Sequence, residues 1–387
     1  PESVELASLY EDVSHMLWRS GARADEALSW NQKAFELAER LGDPEVLARC
    51  YNNLAVLSMK SGELEKARKY YEQGLKIDLE NSLLGHAILL YYNLLQVHWN
   101  EGGFPKAFET AQKGSELAKK VGDIKRLAQI DFMLGGFYAF MGEMQKGISM
   151  TEDCLALAKR TKSTAAIPLV MGAIGVYYRF LGEWDKSLQY LREAIDIAKK
   201  VGEYQSSGNA NFWLGELFME MEDYGEAEKY FNESHSIYGN AGDTDAQLTG
   251  TFPALSILYL KKGEIEKARE LVEKTYEYAM KTQSRLLVAD AEMLKAMLFR
   301  ELKNWDQSIQ HFEKSLQGYK SLNLQKWYVQ KFAELLYEYG LMYLDRNAEG
   351  NKEKAYQLLN EALEIYQRID AKKRVEKIIA KKKLVTA

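Results

Sequence analysis

The segment YNNLAVLSMKSGELEKA (Tyr51–Ala67) sets apolar residues at helical spacing among polar ones, breaks at a Ser-Gly pair and resumes. Forty residues on, YYNLLQVHWNEGGFPKA (Tyr91–Ala107) repeats the pattern with the same tyrosine, asparagine, leucine, glycine and alanine. A small residue five positions after each turn stands at Ala27, Ala67, Ala107, Gly147, Ser187, Ala227, Ala268, Ser308 and Ala355, at spacings of 40, 40, 40, 40, 40, 41, 40 and 47. Seven positions later a second small set holds Ala34, Gly74, Gly114, Cys154, Ala194, Ser234, Thr275, Ser315 and Ala362. Twelve before the first lies a third: Ala55, Leu95, Gly135, Gly175, Gly215, Ser256 and Ala296, with one large member. Ser14 and Gly340 join it if the first and ninth turns carry one and three extra residues.

These slots predict packed helical hairpins. Antiparallel helices approach closely only where side chains are small. A separation of seven is two helical turns, so both slots of one helix face the same neighbour. Inside each hairpin the turn usually holds glycine (Gly62, Gly102, Gly142, Gly182, Gly263), with a large residue two later (Leu64, Phe104, Met144, Trp184, Tyr224, Ile265, Trp305) to plug the corner. Between hairpins stand LGD (Leu41–Asp43), VGD (Val121–Asp123), VGE (Val201–Glu203) and AGD (Ala241–Asp243). The glycine ends one helix in the left-handed conformation and the acid caps the next. Pro44 falls at a first helical position, where its missing N–H costs nothing.

This order of small residue, turn glycine, large residue and small residue resembles the tetratricopeptide repeat, over residues 1–370. The usual unit is about 34 residues and closes on a proline. Here each unit is longer by about a turn per helix and the closing proline is absent, as in kinesin light chains, bacterial peptide-pheromone receptors and the sensor arrays of signal-transducing ATPases. The resemblance implies an all-α, right-handed superhelix of nine hairpins, at 1–43, 44–83, 84–123, 124–163, 164–203, 204–243, 244–284, 285–323 and 324–370. Residues 371–387 follow as a basic C-terminal capping helix and tail. In the ninth unit four extra residues precede the helix within LNLQKWYVQKF (Leu322–Phe332), one helical turn that keeps the apolar face in register. Pro253, in LTGTFPALSILYL, either kinks its helix as a hinge or delays the helix start to about Thr251, the option favoured here.

Composition narrows the functional classes. With 47% hydrophobic and 28% charged residues the chain forms a core, and a net charge of −5 argues against nucleic acid as partner. The basic run AKKRVEKIIAKKK (Ala371–Lys383) either touches an acidic surface or is a solvated end helix whose Val375, Ile378 and Ile379 cap the last unit. Two cysteines cannot build a disulfide framework, and with no signal peptide a reducing, cytoplasmic setting fits. The most apolar stretch, Ala165–Tyr178, is too short to span a bilayer. The start at a proline reads as a piece of a longer protein or a processed product.

Catalytic patterns are missing. The five histidines form no HExxH, the cysteines no CxxC, and Gly102–Phe108 lacks the spacing of a phosphate loop. No metal or cofactor is expected. The concave wall of the implied superhelix remains as a workplace. On the family register it includes Asn52, Asn53, Tyr92, Asn93, Gln96, Phe132, Arg179, Asn209, Phe212, Trp213 and Glu216, with Glu11, His15, Met133, Phe140, Met219 and Glu220 beside them. In the peptide-binding long-repeat families an asparagine placed like Asn53 and Asn93 reaches a peptide backbone; the alternative is that both only bridge helices. The expected function is a non-catalytic recognition module. It would be the C-terminal sensor array of a larger signalling protein, binding a peptide, a protein segment or a small-molecule effector in the groove. A stand-alone scaffold for protein assembly and an enzyme with a groove active site are the alternatives, and homo-oligomer formation stays open.

Overall fold

The computed structural model describes residues 2–19, 24–282 and 284–386, the side chains of 384–386 excepted. Among them there are helices and no strands. The helices run in pairs: α1 (Val4–Arg19) and α2 (Ala24–Leu41), α3 (Pro44–Lys60) and α4 (Leu64–Glu80), α5 (Leu84–Asn100) and α6 (Phe104–Val121), α7 (Ile124–Phe140) and α8 (Met144–Arg160). There follow α9 (Ala166–Leu181) and α10 (Trp184–Val201), then α11 (Tyr204–Glu220) and α12 (Tyr224–Asn240). The seventh pair is α13 (Thr244–Ala246) running through a π turn into α14 (Phe252–Lys262), with α15 (Ile265–Thr282). The eighth is α16 (Arg285–Glu301) and α17 (Trp305–Ser321). The ninth is α18 (Leu324–Trp327), α19 (Val329–Arg346) and α20 (Asn351–Arg368), and α21 (Lys372–Thr386) closes the series. The extra residue expected in the first turn falls at 20–23, outside the described residues.

All nine residues of the first small slot are buried. Where the slot is serine, its hydroxyl donates to the carbonyl of the third slot on the facing helix: Ser187 to Gly175 at 2.7 Å and Ser308 to Ala296 at 2.8 Å. A bond that short from a single-carbon side chain requires the two backbones nearly to touch. At the inter-unit corners Asp43, Asp123 and Asp243 accept from the N–H three residues on, at 2.9–3.0 Å. Glu203, one methylene longer, makes no such cap.

By the density of its contacts the chain divides into two compact units, Pro1–Leu134 and Gly135–Ala387. In the first, Ala55, Tyr71, Leu90 and Leu94 anchor one apolar cluster and Leu37, Val46 and Cys50 another. In the second, Met144, Ile148, Val176 and Tyr177 form a comparable cluster. This unit also returns on itself. Gln330 Nε2 of α19 donates to the Ala139 carbonyl at 2.7 Å, and Tyr328 stacks on Phe140 with centroids 4.4 Å apart. Gly142, at φ +94°, lies so close to Ile369 that a Cβ would sit 2.4 Å from its Cγ2. Both its backbone angle and its surroundings therefore demand glycine.

Two expectations need correction. The helix carrying Pro253 neither starts late nor simply breaks: it begins at Thr244 and takes a π turn over Gln247–Thr251. Gly202 to Gly242 spans 40 residues but Gly215 to Ser256 spans 41, so the extra residue lies in this stretch. The wide turn absorbs it: the Phe252 N–H reaches back to the Gln247 carbonyl, and Pro253 follows where no N–H is available. In the ninth pair the four extra residues do not extend the helix. They make the separate turn α18, and the chain bends at Tyr328 (φ −150°, ψ 64°) before α19 begins.

Close approach at the slots is testable. A Cβ at Gly215 would meet the Phe231 ring at 2.5 Å, whereas one at Gly172 would meet nothing within 4 Å. Gly215→Ala is expected to destabilise by about 1–3 kcal/mol through overpacking. Gly172→Ala is expected to be neutral or to stabilise by up to about 1 kcal/mol from helix propensity. Urea denaturation of both variants checks the pair; equal effects would remove the packing account.

Candidate ligand cavity

In the first unit the expected groove residues hold one another. Asn53 is fully buried; its Nδ2 donates to Glu11 Oε1 at 2.9 Å and its Oδ1 accepts from Trp18 Nε1 at 3.2 Å. Asn93 Nδ2 donates to Asn52 Oδ1 at 3.0 Å across neighbouring hairpins. Burial pushes the Glu11 carboxyl up, against the ion pair from Arg49 and the Asn53 bond. Tyr92, Gln96 and Phe132 are half-buried. Asn53→Ala would strand a buried carboxylate oxygen and an indole N–H, so a loss of about 1–3 kcal/mol in thermal or chemical denaturation is expected.

The second unit brings four expected residues to one cavity. Arg179 and Phe180 enter from α9, Phe212, Trp213 and Glu216 from α11, and Asp290 and Met293 from α16. Leu248, Thr249 and Gly250 of the π turn, with Pro253 at the start of α14, form one wall, and Tyr328, Lys331 and Glu334 close another. The cavity measures about 190 Å³. A second, about 390 Å³, shares Glu216, Glu334 and Arg374 with it and is roofed by α21. Asn209 does not join: it is exposed and accepts from the Tyr238 hydroxyl at 2.7 Å.

Arg179 sits one turn after the Gly175 slot and is 3% exposed. Its guanidinium lies 4.5 Å from the Phe180 ring centroid and 5.5 Å from that of Trp213. Nη1 donates to Glu216 Oε2 at 3.5 Å and to Glu220, while Nε has no partner. Arg374 of α21 reaches the same Glu220 oxygen at 2.9 Å. The two carboxylates respond oppositely. Burial raises Glu216 more than Arg179 lowers it; at Glu220 burial is outweighed by Arg374 and Arg179, and the carboxyl is held below its ordinary value. Opposite them Lys331 donates to Asp290 at 2.5 Å, as does the Tyr319 hydroxyl. Burial disfavours the Lys331 charge, but Asp290 restores it and leaves the ammonium pKa raised. Glu334 lines both cavities and makes no hydrogen bond or ion pair among the described residues.

No group of three metal-ligating side chains occurs among the described residues. Cys50 and Cys154 are buried and form no disulfide, and burial pushes the Cys50 thiol up to about 12, where it is inert. No described helix is long and apolar enough to cross a membrane. Sequence reasoning missed Asp290, Tyr328, Lys331, Glu334 and Arg374. The insertion before α19 and the basic tail were the visible signals, because both bend or lengthen the chain where a regular repeat would not.

An array of helical hairpins joined by tight corners, with small residues at the contacts, is a helical-repeat fold. The pattern of the family described as tetratricopeptide repeat matches residues 5–80, 126–200 and 206–281, more than half of the sequence. The chain belongs to the tetratricopeptide repeat family. It is 27% identical over 109 residues to regulatory protein RapF of Bacillus subtilis (strain 168), a match over 28% of this chain and 29% of that protein's length. Among solved structures, a Rap protein complexed with competence and sporulation factor superposes with a TM-score of 0.66 at 16% identity, covering 95% of this chain and 99% of that one. The Rap conjugation gene regulator of plasmid pLS20, in complex with the Phr* peptide, gives 0.64 at 15% identity over 95% and 96%. Aspartyl phosphate phosphatase F from Bacillus subtilis gives 0.57 at 16% identity over 96% of each chain. At these identities the likeness is one of fold.

The carboxylates give a signed prediction. Glu220, lowered in the folded chain, stabilises above its unfolded value of about 4.5 and loses that contribution as pH falls through its folded value. Glu216, raised, contributes below that pH and loses the contribution as pH rises. At neutral pH, Glu220→Gln is expected to cost about 3 kcal/mol by leaving buried arginine charge uncompensated. Glu216→Gln is expected to be neutral or stabilising. Denaturation midpoints from acid to neutral pH check both signs.

Proposed function

We propose that this chain is a non-catalytic recognition module that binds a peptide or protein segment in the cavity of its second unit. The observation that carries the reading is the composition of that cavity. Trp213, Phe212, Phe180 and Tyr328 supply apolar wall, while Glu334 and Arg179 Nε hold unused hydrogen-bonding capacity. Apolar surface with a few convergent polar groups suits a ligand that is part side chain, part backbone. Two structures with the same fold support this choice: the pLS20 regulator holds the Phr* peptide, and a Rap protein is complexed with competence and sporulation factor. Work in a reducing, cytoplasmic compartment agrees with two buried cysteines that form no disulfide.

The finer reading is that the array serves as the sensor of a larger regulatory protein, where a ligand shifts an output by binding one conformation better than another. A stand-alone scaffold is the second reading, favoured by the asparagine bonds of the first unit, which tie neighbouring hairpins together. A thermal-shift screen with synthetic short peptides and common metabolites tests the proposal. A peptide should raise the melting temperature, and Trp213→Ala combined with Glu334→Gln should weaken it by about 1–3 kcal/mol, roughly tenfold to a hundredfold in affinity. Silence across the peptide panel, or binding indifferent to the double substitution, would refute the cavity as the site.

A further inference from the structure

We propose that α21 is a detachable strap: a basic helix, held mainly by charge, that roofs the ligand cavity of the second unit and must release for the cavity to open. The role as a gate rests on the cavity being the ligand site; the strap's detachability does not.

The first observation is how little apolar surface fixes this helix. Of the described α21 side chains only Ile378 is buried, Val375 is half-buried and Ile379 is 38% exposed. The preceding helix α20 buries six residues, and α19 buries twelve. The expected role of capping the last unit thus falls to one isoleucine. Most of the other α21 residues up to Lys383 are lysine, arginine and glutamate, and its cationic side faces acid on the same chain. Arg374 bonds Glu220 across 154 residues, Lys377 approaches Glu222 at 3.8 Å, and Lys373 lies 5.5 Å from the Trp184 ring centroid. Glu220 ends α11, where the helix dipole adds to the attraction for cations.

The second observation is placement. Lys373, Arg374, Glu376, Lys377 and Ala380 line the larger cavity, and Arg374 also reaches the smaller one. The opposite wall is built from the first helices of the sixth to ninth pairs, the face that a ligand would use. The strap therefore occupies that face. Its joint is a single residue: Asp370, at a left-handed φ of +55° like Ser82, Lys162, Glu222 and Lys303 at other corners, separates α20 from α21. The seat is also imperfect for its occupant, since Lys377 faces Lys261 and Arg374 as well as Glu222.

Release changes the chemistry of the cavity. With Arg374 in place, Glu216 and Glu220 share two arginines. Without it, Glu216 and Glu220 keep only Arg179 of the two, while Lys331 and Lys261 remain further along the walls. A near-neutral pocket becomes anionic and gains a mouth.

The test is hydrogen exchange on the full chain, read helix by helix. In the wild type α21 is expected to exchange at least about a hundredfold faster than α19, because it opens without global unfolding. Raising salt from about 0.1 M to about 1 M shortens the screening length from about 10 Å to about 3 Å. That change should speed α21 by about tenfold and leave α19 and α20 unchanged. Arg374→Gln should do the same at low salt. A fluorescein-labelled synthetic peptide of residues 371–387 should bind the Arg374→Gln protein but not the wild type, whose tethered helix competes at a millimolar effective concentration of roughly that order. Exchange of α21 as slow as that of α19, indifference to salt, or equal peptide binding to both proteins would overturn the proposal. None of these readouts contains an outside ligand, so they separate the strap from the peptide-binding reading.

Discussion

Two helix backbones can nearly touch only where the side chains between them all but vanish. That constraint governs this chain. At Gly147 a single added methyl would lie 2.8 Å from the Gly135 carbonyl and 2.9 Å from Ala139, and at Gly175 it would lie 2.8 Å from Leu191. Interiors packed at crystal density leave no slack for such insertions. The serine hydroxyls that reach the facing carbonyl do so because the gap is short, and each donates to that carbonyl's second lone pair at little cost in volume. Each hairpin nests in this way, and each then offers its outer faces to the next.

Stacking alone yields an open wall, and an open wall does not make a pocket. In the second unit the ninth pair supplies what is missing. Four inserted residues form α18, the chain bends at Tyr328, and α19 comes to rest against Ala139 and Phe140. The bend carries Tyr328, Lys331 and Glu334 into the space that Arg179 and Trp213 border from the other side. Charges drawn into such a space are costly unless paired. The arrangement meets that demand unevenly: Asp290 is matched by Lys331 and Tyr319, Glu220 by two arginines, and Glu334 by none. The unmatched group points to where a ligand would be useful to the protein.

The candidate site was partly legible. Arg179, Phe212, Trp213 and Glu216 follow from their offsets to the small slots, because a fixed hairpin geometry maps sequence position to wall position. Asn209 fails the same rule, since it lies on the outer side of its helix turn and meets Tyr238. The asparagines show another weakness. Position alone places Asn53 beside the groove, but Glu11 and Trp18 arrive from the preceding hairpin and take up its amide. Whether a polar group faces a ligand or a neighbour depends on the neighbour's side chain, which the repeat pattern does not specify.

Local features are therefore what the sequence by itself determined: helix, turn, slot and repeat length, down to the one extra residue in the seventh pair. These depend on contacts within about forty residues, and small side chains, glycines and caps encode them directly. Only the tertiary structure decided that this extra residue becomes a π turn, that the ninth pair folds back on the fourth, and that a basic tail finds Glu220 154 residues away. Those outcomes sum small per-hairpin rotations and pair charges remote in sequence. A small rotation per repeat leaves no mark in any one repeat, yet its accumulation fixes which residues meet.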